Sequence, residues 1–328
     1  MNLSSNERKK NAFIITIDTE GDNLWSRPKE IGAKNAKYLP RFQELCERYS
    51  FKPTYLTNYE MAVDNFFVEF ARDVIKRNTA EIGMHLHAWN SPPITPITED
   101  DYYWQPFLIE YPQDVMLNKI EYMTKLLEDT FQTKMTSHRA GRWAFNESYA
   151  RILADMGYRI DCSVTPGISW QETGEGSAGI KGTDYTSFPK HPYYLNLDSI
   201  SESGNSSLLE APVSIDTWRP AWAKAASSVP ILNRIARRLA PEKQWMRPKP
   251  KSSTSKALLA MAARYSNLET DYLQFMLHSS EFMPGGSPNF PNNESIEELF
   301  RTLDKLFDFC ANRYTGLTLT EYADQYSS

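Results

Sequence analysis

Asn11-Ala12-Phe13-Ile14-Ile15-Thr16-Ile17-Asp18 is a short continuous apolar run, rich in β-branched residues, that stops abruptly at Thr19-Glu20-Gly21-Asp22. A run of that length and composition reads as a strand buried on both faces, with charge gathered at its carboxyl end. Outward from it, a helix is expected over 33–49, where Ala36, Leu39, Phe42, Leu45 and Cys46 recur at roughly helical spacing, and residues 53–57 return to strand-like composition. The alternation continues with helices expected near 64–77, 114–130 and 146–156, and strands near 80–86, 134–139 and 158–164. Strands separated by helical spans imply parallel crossovers.

Further strands are expected at 208–213, 271–278 and 315–320, and Ile296, Leu299, Phe300, Leu303, Leu306, Phe307 and Cys310 mark one face of a long helix. Seven or eight mostly parallel strands suit a partial or distorted (β/α) barrel of the α/β class better than a small doubly wound sheet. The 328 residues are expected to form one domain, 1–328, with an insertion or cap at about 165–256. There the alternation breaks into a Gly- and Ser-rich run at 173–177 and a Pro/Lys/Ser stretch at 241–256.

An apolar fraction of 41% and a charged fraction of 23% exclude a disordered or low-complexity chain. The net charge of −5 offers no general attraction to nucleic acid or anionic lipid. Cys46, Cys162 and Cys310 are far apart and odd in number, which suits buried thiols in a reducing compartment. No apolar run reaches the length of a membrane span, and residues 1–11 are polar, so a cytoplasmic location without an integral membrane segment is expected.

In parallel α/β sheets, reactive groups gather at the carboxyl ends of the strands. Here those ends carry Asp18 and Glu20, His85 and His87, His138 and Arg139, Asp161, and His278 with Glu281. Asp18 and Glu20 are two apart, so in extended chain they share a face; a solvated acidic turn is the plainer account. An extended His85-Leu86-His87 likewise puts both imidazoles on one face, and two neutral imidazoles with a carboxylate make a three-ligand site with an open position, as catalytic zinc is held. The plainer account there is a half-buried strand with hydrogen-bonded histidines. Arg139 can grip a carboxylate through its forked guanidinium, and Gly141 with Arg142 follows where backbone amides can meet an oxyanion. His278 supplies an imidazole, a side chain suited to proton delivery to a leaving group.

In this order the motifs resemble those of the polysaccharide deacetylases, the NodB-like carbohydrate esterase family four. Residues 17–22, 81–89, 138–143, 158–164 and 277–281 resemble the family's five motifs in turn. The resemblance implies Asp18 as catalytic base, His85 as metal ligand, Arg139 as the holder of the base, and His278 as catalytic acid tuned by Asp161. Two departures follow from the residues present. The usual adjacent aspartates are here Asp-Thr-Glu, which makes Glu20 the expected carboxylate ligand, ahead of Asp22. Trp89 stands where the family's second histidine lies, so the second imidazole ligand is expected to be His87.

Arg142, Trp143, Trp89, Trp245 and Glu281 complete the expected site as substrate-binding residues. The segment Gln244-Trp245-Met246-Arg247-Pro248 resembles an insertion of a subgroup linked to bacterial surface-polysaccharide or lipopolysaccharide synthesis. The resemblance therefore implies a metal-dependent N-deacetylase, with zinc first and cobalt or nickel next as the divalent ion, acting on an acetylated amino sugar that is nucleotide- or lipid-linked. Two other readings stay open: a sugar-binding protein on the same scaffold without turnover, and hydrolysis of another amide such as a cyclic one.

Overall fold

The structure is a computed structural model that describes residues 10–171, 182–225, 231–232, 234–235, 243–249, 254–268 and 271–327. The Gly- and Ser-rich run at 173–177 and much of the stretch at 241–256 lie outside the described residues.

The opening stretch forms β1 (Asn11–Thr19), buried along nearly its whole length. Along the chain follow α1 (Leu39–Arg48), β2 (Thr54–Thr57), α2 (Asn65–Lys76), β3 (Glu81–Leu86), α3 (Gln113–Phe131), β4 (Ser137–Ala140), α4 (Glu147–Asp155) and β5 (Ile160–Asp161). Then come β6 (Tyr193–Asn196), β7 (Ser199–Ser203), β8 (Leu209–Glu210), β9 (Ile215–Asp216), β10 (Gln244–Trp245), α5 (Thr254–Tyr265), β11 (Tyr272–His278), α6 (Asn293–Ala311), β12 (Tyr314–Leu317) and α7 (Leu319–Ser327).

Strands β11, β1, β2, β3, β4, β5 and β8 pair in that order, all parallel, and the antiparallel strands β6 and β7 extend the sheet beyond β8. On the edge of β1 away from β11, β12 pairs with Asn11–Ile14 and β2 with Thr16–Thr19. The sheet curls into a half-barrel of mostly parallel strands, as the alternation of strands and helices implies. Residues 211–216 and 244–247 bridge the open side. Val213 N donates to Val164 O at 2.8 Å, Gln274 N to Ser214 Oγ at 2.9 Å, and Met276 N to Met246 O at 3.2 Å.

Helices cover β1 because its apolar side chains leave no face for water. Helix α6 buries the stripe read from the sequence, from Ile296 to Cys310, and Phe307 meets Phe13, Phe51 and Phe275 edge-on. Its start is fixed by Asn292, whose side chain accepts from Ser295 N at 2.9 Å, and α2 starts in the same way at Asp64. All three cysteines are buried and free.

Four local expectations change. The helix expected over 33–49 is a 3-10 turn to Tyr38 and α-helical only from Leu39, because Pro40, lacking an N–H, tolerates only a first-turn place. The strand expected over 134–139 pairs only from Ser137, and that expected over 158–164 pairs only at Ile160–Asp161. The last strand ends at Leu317 and does not reach 320: Glu321 N donates to Thr318 Oγ1 while Thr318 N donates to Glu321 Oε2, a capping box that begins α7. The β6–β7 hairpin and α5 were not anticipated.

Candidate active site

Register brings the polar strand ends together. Asp18 lies opposite His278 in the β1–β11 ladder, and His85 opposite Arg139 in the β3–β4 ladder. Asp18, Glu20, His85, His87 and His278, with Trp89, Ala140, Arg142 and Trp143, line a cavity of about 310 Å³ at this end of the sheet.

Asp18 is buried, and Arg139 Nη1 donates to its Oδ1 at 2.5 Å. The same guanidinium donates from Nη2 to Thr16 Oγ1 at 2.8 Å and from Nε to Cys162 O at 3.2 Å, so its orientation is fixed by β1 and by the chain just past β5. Burial works to raise the Asp18 carboxyl, but Arg139, with His85 and His278, outweighs it and holds the group below the usual carboxylate range. The site therefore keeps an ionised carboxylate away from bulk water.

Glu20 Oε2, His85 Nε2 and His87 Nε2 converge. Glu20 is 2.9 Å from His87 and 3.5 Å from His85, and the two imidazole nitrogens are 3.2 Å apart. His85 Nδ1 donates to Arg139 O at 2.9 Å, which leaves the Nε2 lone pair pointing at the other two atoms. Burial pulls His87 down to about 4, so its imidazole is neutral. Ligand atoms about 2.0–2.2 Å from a tetrahedral ion stand roughly 3.4 Å apart. Three ligand atoms at 2.9–3.5 Å, one from a carboxylate and two from imidazoles, fit a divalent cation. Asp22 is excluded from this set: its carboxylate accepts from Lys34 N, Asn35 N and Asn35 Nδ2 and ties the first loop together.

His278 Nε2 stands 3.7 Å from Asp18 Oδ2 and 3.9 Å from Glu20 Oε1, at the rim of the cavity. Its other nitrogen corrects the expectation for Asp161. His278 Nδ1 faces Glu281 Oε2 at 3.2 Å, and Arg247 Nη2 lies 2.9 Å from Glu281 Oε1 and 3.2 Å from His278 Nδ1. Asp161 bonds instead to His138 Nδ1 at 2.5 Å and to Ser163, because the β4–β5 register sets His138 directly beside it. Glu281 is likewise corrected. Fully buried, it faces His278, Arg247 and Asn289 Nδ2 and does not line the cavity. Burial works to raise its carboxyl, but Arg247 and His278 bring it down to about 2. The spacing itself carried a signal, since Glu281 is the third residue after His278 and accepts from His278 N at 3.0 Å, a capping-box arrangement.

Aromatic walls surround these groups. Trp89 stacks on Tyr102 with ring centroids 4.3 Å apart and planes 9° from parallel, and Arg142 lies 5.3 Å from the Trp89 ring. The Trp89 loop is pinned from below by buried Lys119, which donates to Ser91 O at 2.7 Å and Pro93 O at 2.8 Å. Trp143 runs parallel to Trp170 and sits 4.9 Å from the Arg139 guanidinium. Trp245 meets Trp143 edge-on at 5.7 Å and backs the wall; it is not itself part of the cavity lining. Trp25, Tyr102, Phe107 and Trp170 also line the cavity and were missed, since they stand in loops or in single helical turns too short to show a periodicity.

The turn after β4 is strained: Arg142 and Trp143 both have positive φ, 55° and 60°. Such residues cost about 1–3 kcal/mol each and persist only where the surroundings impose them. Here the Tyr185 hydroxyl donates to Trp143 O at 2.7 Å. Gly141 permits the turn, because a Cβ there would lie 2.3 Å from Leu86 O and 2.8 Å from His87 Nδ1.

No family model matches the chain, and no curated protein matches it in sequence. Solved structures do match. A protein described as a polysaccharide deacetylase from Mycobacterium smegmatis aligns over 98% of this chain and 92% of its own, at 14% identity and a TM-score of 0.53. One described as a glycoside hydrolase/deacetylase from Parabacteroides distasonis aligns over 97% and 71%, at 10% identity and a TM-score of 0.60. The 4-alpha-glucanotransferase of Thermococcus litoralis aligns over 97% of this chain and 40% of its own, at 14% identity and a TM-score of 0.52. At these identities the likeness is one of architecture, and the architecture of this chain is the NodB-like fold of the polysaccharide deacetylases.

Proposed function

We propose that the chain is a metal-dependent N-deacetylase of an acetamido sugar. One observation carries the reading: a Glu20–His85–His87 donor set, an ionised Asp18 clamped by Arg139, and His278 all face one aromatic-walled cavity. Glu20, His85 and His87 hold the ion, zinc first and cobalt or nickel next. When bound, a divalent cation supplies Lewis acidity, which acidifies water and polarises an acyl oxygen.

Asp18, through Oδ2, accepts the proton of the attacking water, while Arg139 keeps the other oxygen occupied and the carboxylate ionised. His278 gives the proton from Nε2 to the departing amine nitrogen, its ring held by Nδ1–H donating to Glu281, whose carboxylate Arg247 grips in turn. In this reading a backbone amide near Arg142 meets the oxyanion, and Trp89, Trp143 and Arg142 hold the sugar. Trp170 and Arg247 line the same cavity, so we assign 165–256 to the same catalytic unit. A nucleotide- or lipid-linked sugar of surface-polysaccharide or lipopolysaccharide synthesis, met in the cytoplasm, completes the proposal.

The test pairs elemental analysis of the purified protein with acetate release from acetamido sugars, on wild type and on His85→Ala/His87→Ala. The reading expects about one divalent ion per chain in wild type and none in the variant, with acetate release following the ion. Wild type that takes up no zinc, cobalt or nickel on reconstitution overturns it in favour of a sugar binder without turnover.

A further inference from the structure

The net charge of −5 conceals a strong asymmetry. Between Arg219 and Lys256 the sequence holds ten basic residues and one acid, Glu242, while the remainder is correspondingly acidic. Among the described residues of that segment, Lys224, Arg234, Lys243, Lys249 and Lys256 are exposed.

The same region exposes large apolar side chains. Trp218, Trp222, Ile231, Leu232, Ile235 and Leu268 are 48–76% exposed. Ile231, Leu232 and Ile235 are each in helical conformation, and Trp222 projects from the helical turn Ala221–Ala225. Trp218 is presented by design of the fold: the Arg264 guanidinium lies 4.6 Å from its ring, and Arg264 Nε donates to Asp216 Oδ2 at 2.8 Å. With Ala263 and Leu268, Trp218 borders a shallow apolar depression in the surface.

We propose that the described residues of this region, with Trp218, Trp222, Ile231, Leu232, Ile235, Lys224 and Arg234 exposed, form an interfacial docking surface for an anionic lipid bilayer. Exposed tryptophans and branched aliphatics interleaved with lysine and arginine suit the headgroup boundary, where indoles prefer to sit and basic groups meet lipid phosphates. Charge decides among occupants. A second copy of the chain would set two basic faces against each other, whereas an anionic leaflet complements the surplus; each basic group near it strengthens binding by about fivefold. Among the described residues no helix is long and apolar enough to cross a membrane. The surface is continuous with the catalytic cavity: β9 leads into Trp218, and its partner β10 carries Trp245 against Trp143 and leads to Arg247 in the lining. Docking there would bring the cavity to a lipid-borne acetamido sugar, a consequence that rests on the deacetylase reading.

The experiment is co-sedimentation of the full chain with vesicles of equal parts phosphatidylglycerol and phosphatidylcholine, or of phosphatidylcholine alone, at low and high salt. Wild type is expected to sediment with the anionic vesicles, and less so as salt rises. Trp218→Ser/Trp222→Ser/Ile235→Ser and Lys224→Glu/Arg234→Glu are each expected to weaken binding by more than about tenfold, with the melting temperature unchanged. The proposal is overturned by wild type that stays in the supernatant with anionic vesicles at low salt, or by variants that sediment as wild type does. A concentration-dependent dimer abolished by Trp222→Ser, or nucleic acid bound in preference to vesicles, also overturns it. Turnover is read separately: wild type that binds vesicles but releases no acetate from any acetamido sugar overturns the deacetylase reading and leaves the docking surface supported.

Discussion

Asp18 and His278 are the two side chains whose protonation the proposed reaction must change. Their reactive atoms stand 3.7 Å apart across the β1–β11 ladder. Asp18→Asn keeps an acceptor for Arg139 while losing the base, and His278→Ala removes the acid; each is expected to lower kcat by about 10²–10⁴. Steady-state acetate release on variants with native circular dichroism checks this, and near wild-type rates in either would sink the assignment. Behind the cavity, Glu210 is fully buried, and burial, reinforced by the neighbouring Asp161 carboxylate, pushes its carboxyl well above the usual range. The sign follows from linkage: a raised folded value gives stability fully present below the unfolded value, about 4.5, and lost as pH rises toward the folded one. Glu210→Gln removes that loss, so the variant should gain on wild type with rising pH. Chemical denaturation at a series of pH values measures it, and parallel curves would refute it.

At the scale of elements, the joint between β3 and the turn after β4 fixes the two histidines proposed as ligands. Gly141→Ala would force its Cβ against Leu86 O, a backbone atom that cannot move aside, and against His87 Nδ1. The variant should lose stability and, through a displaced His87, metal affinity; a denaturation midpoint and a metal titration equal to wild type would contradict this. What was legible here follows from physics that acts locally. Strand β1 is apolar throughout because both its faces are covered, and α6 shows its stripe because one face meets the sheet. The β6–β7 hairpin was illegible because its alternation is half-buried and polar, as in Ser199–Ser203. Helix α5 was hidden by the Pro/Lys/Ser stretch before it, and the start of α7 by a strand-like Thr/Leu alternation that Thr318 and Glu321 interrupt with a capping box.

Over the whole molecule, the groups at the strand ends were readable because the curled parallel sheet gathers its carboxyl ends. Pairings across the site were less so: Glu281 and Arg247 reach His278 from a 3-10 turn and from the bridge that closes the half-barrel. The donor set has a global consequence. Glu20, His85 and His87 come from β1 and β3, and Arg139 O on β4 orients His85. Because such a site forms only when those strands are in register, an ion bound to it stabilises the folded chain alone. The gain is about 4 kcal/mol when free ion stands about a thousandfold above its dissociation constant. Protein stripped by chelator should therefore melt several degrees higher when zinc, cobalt or nickel is restored, and acetate release should return with it. His85→Ala/His87→Ala should show neither change. A melting temperature indifferent to these ions in wild type, or raised equally in the variant, would place metal binding elsewhere than at this site.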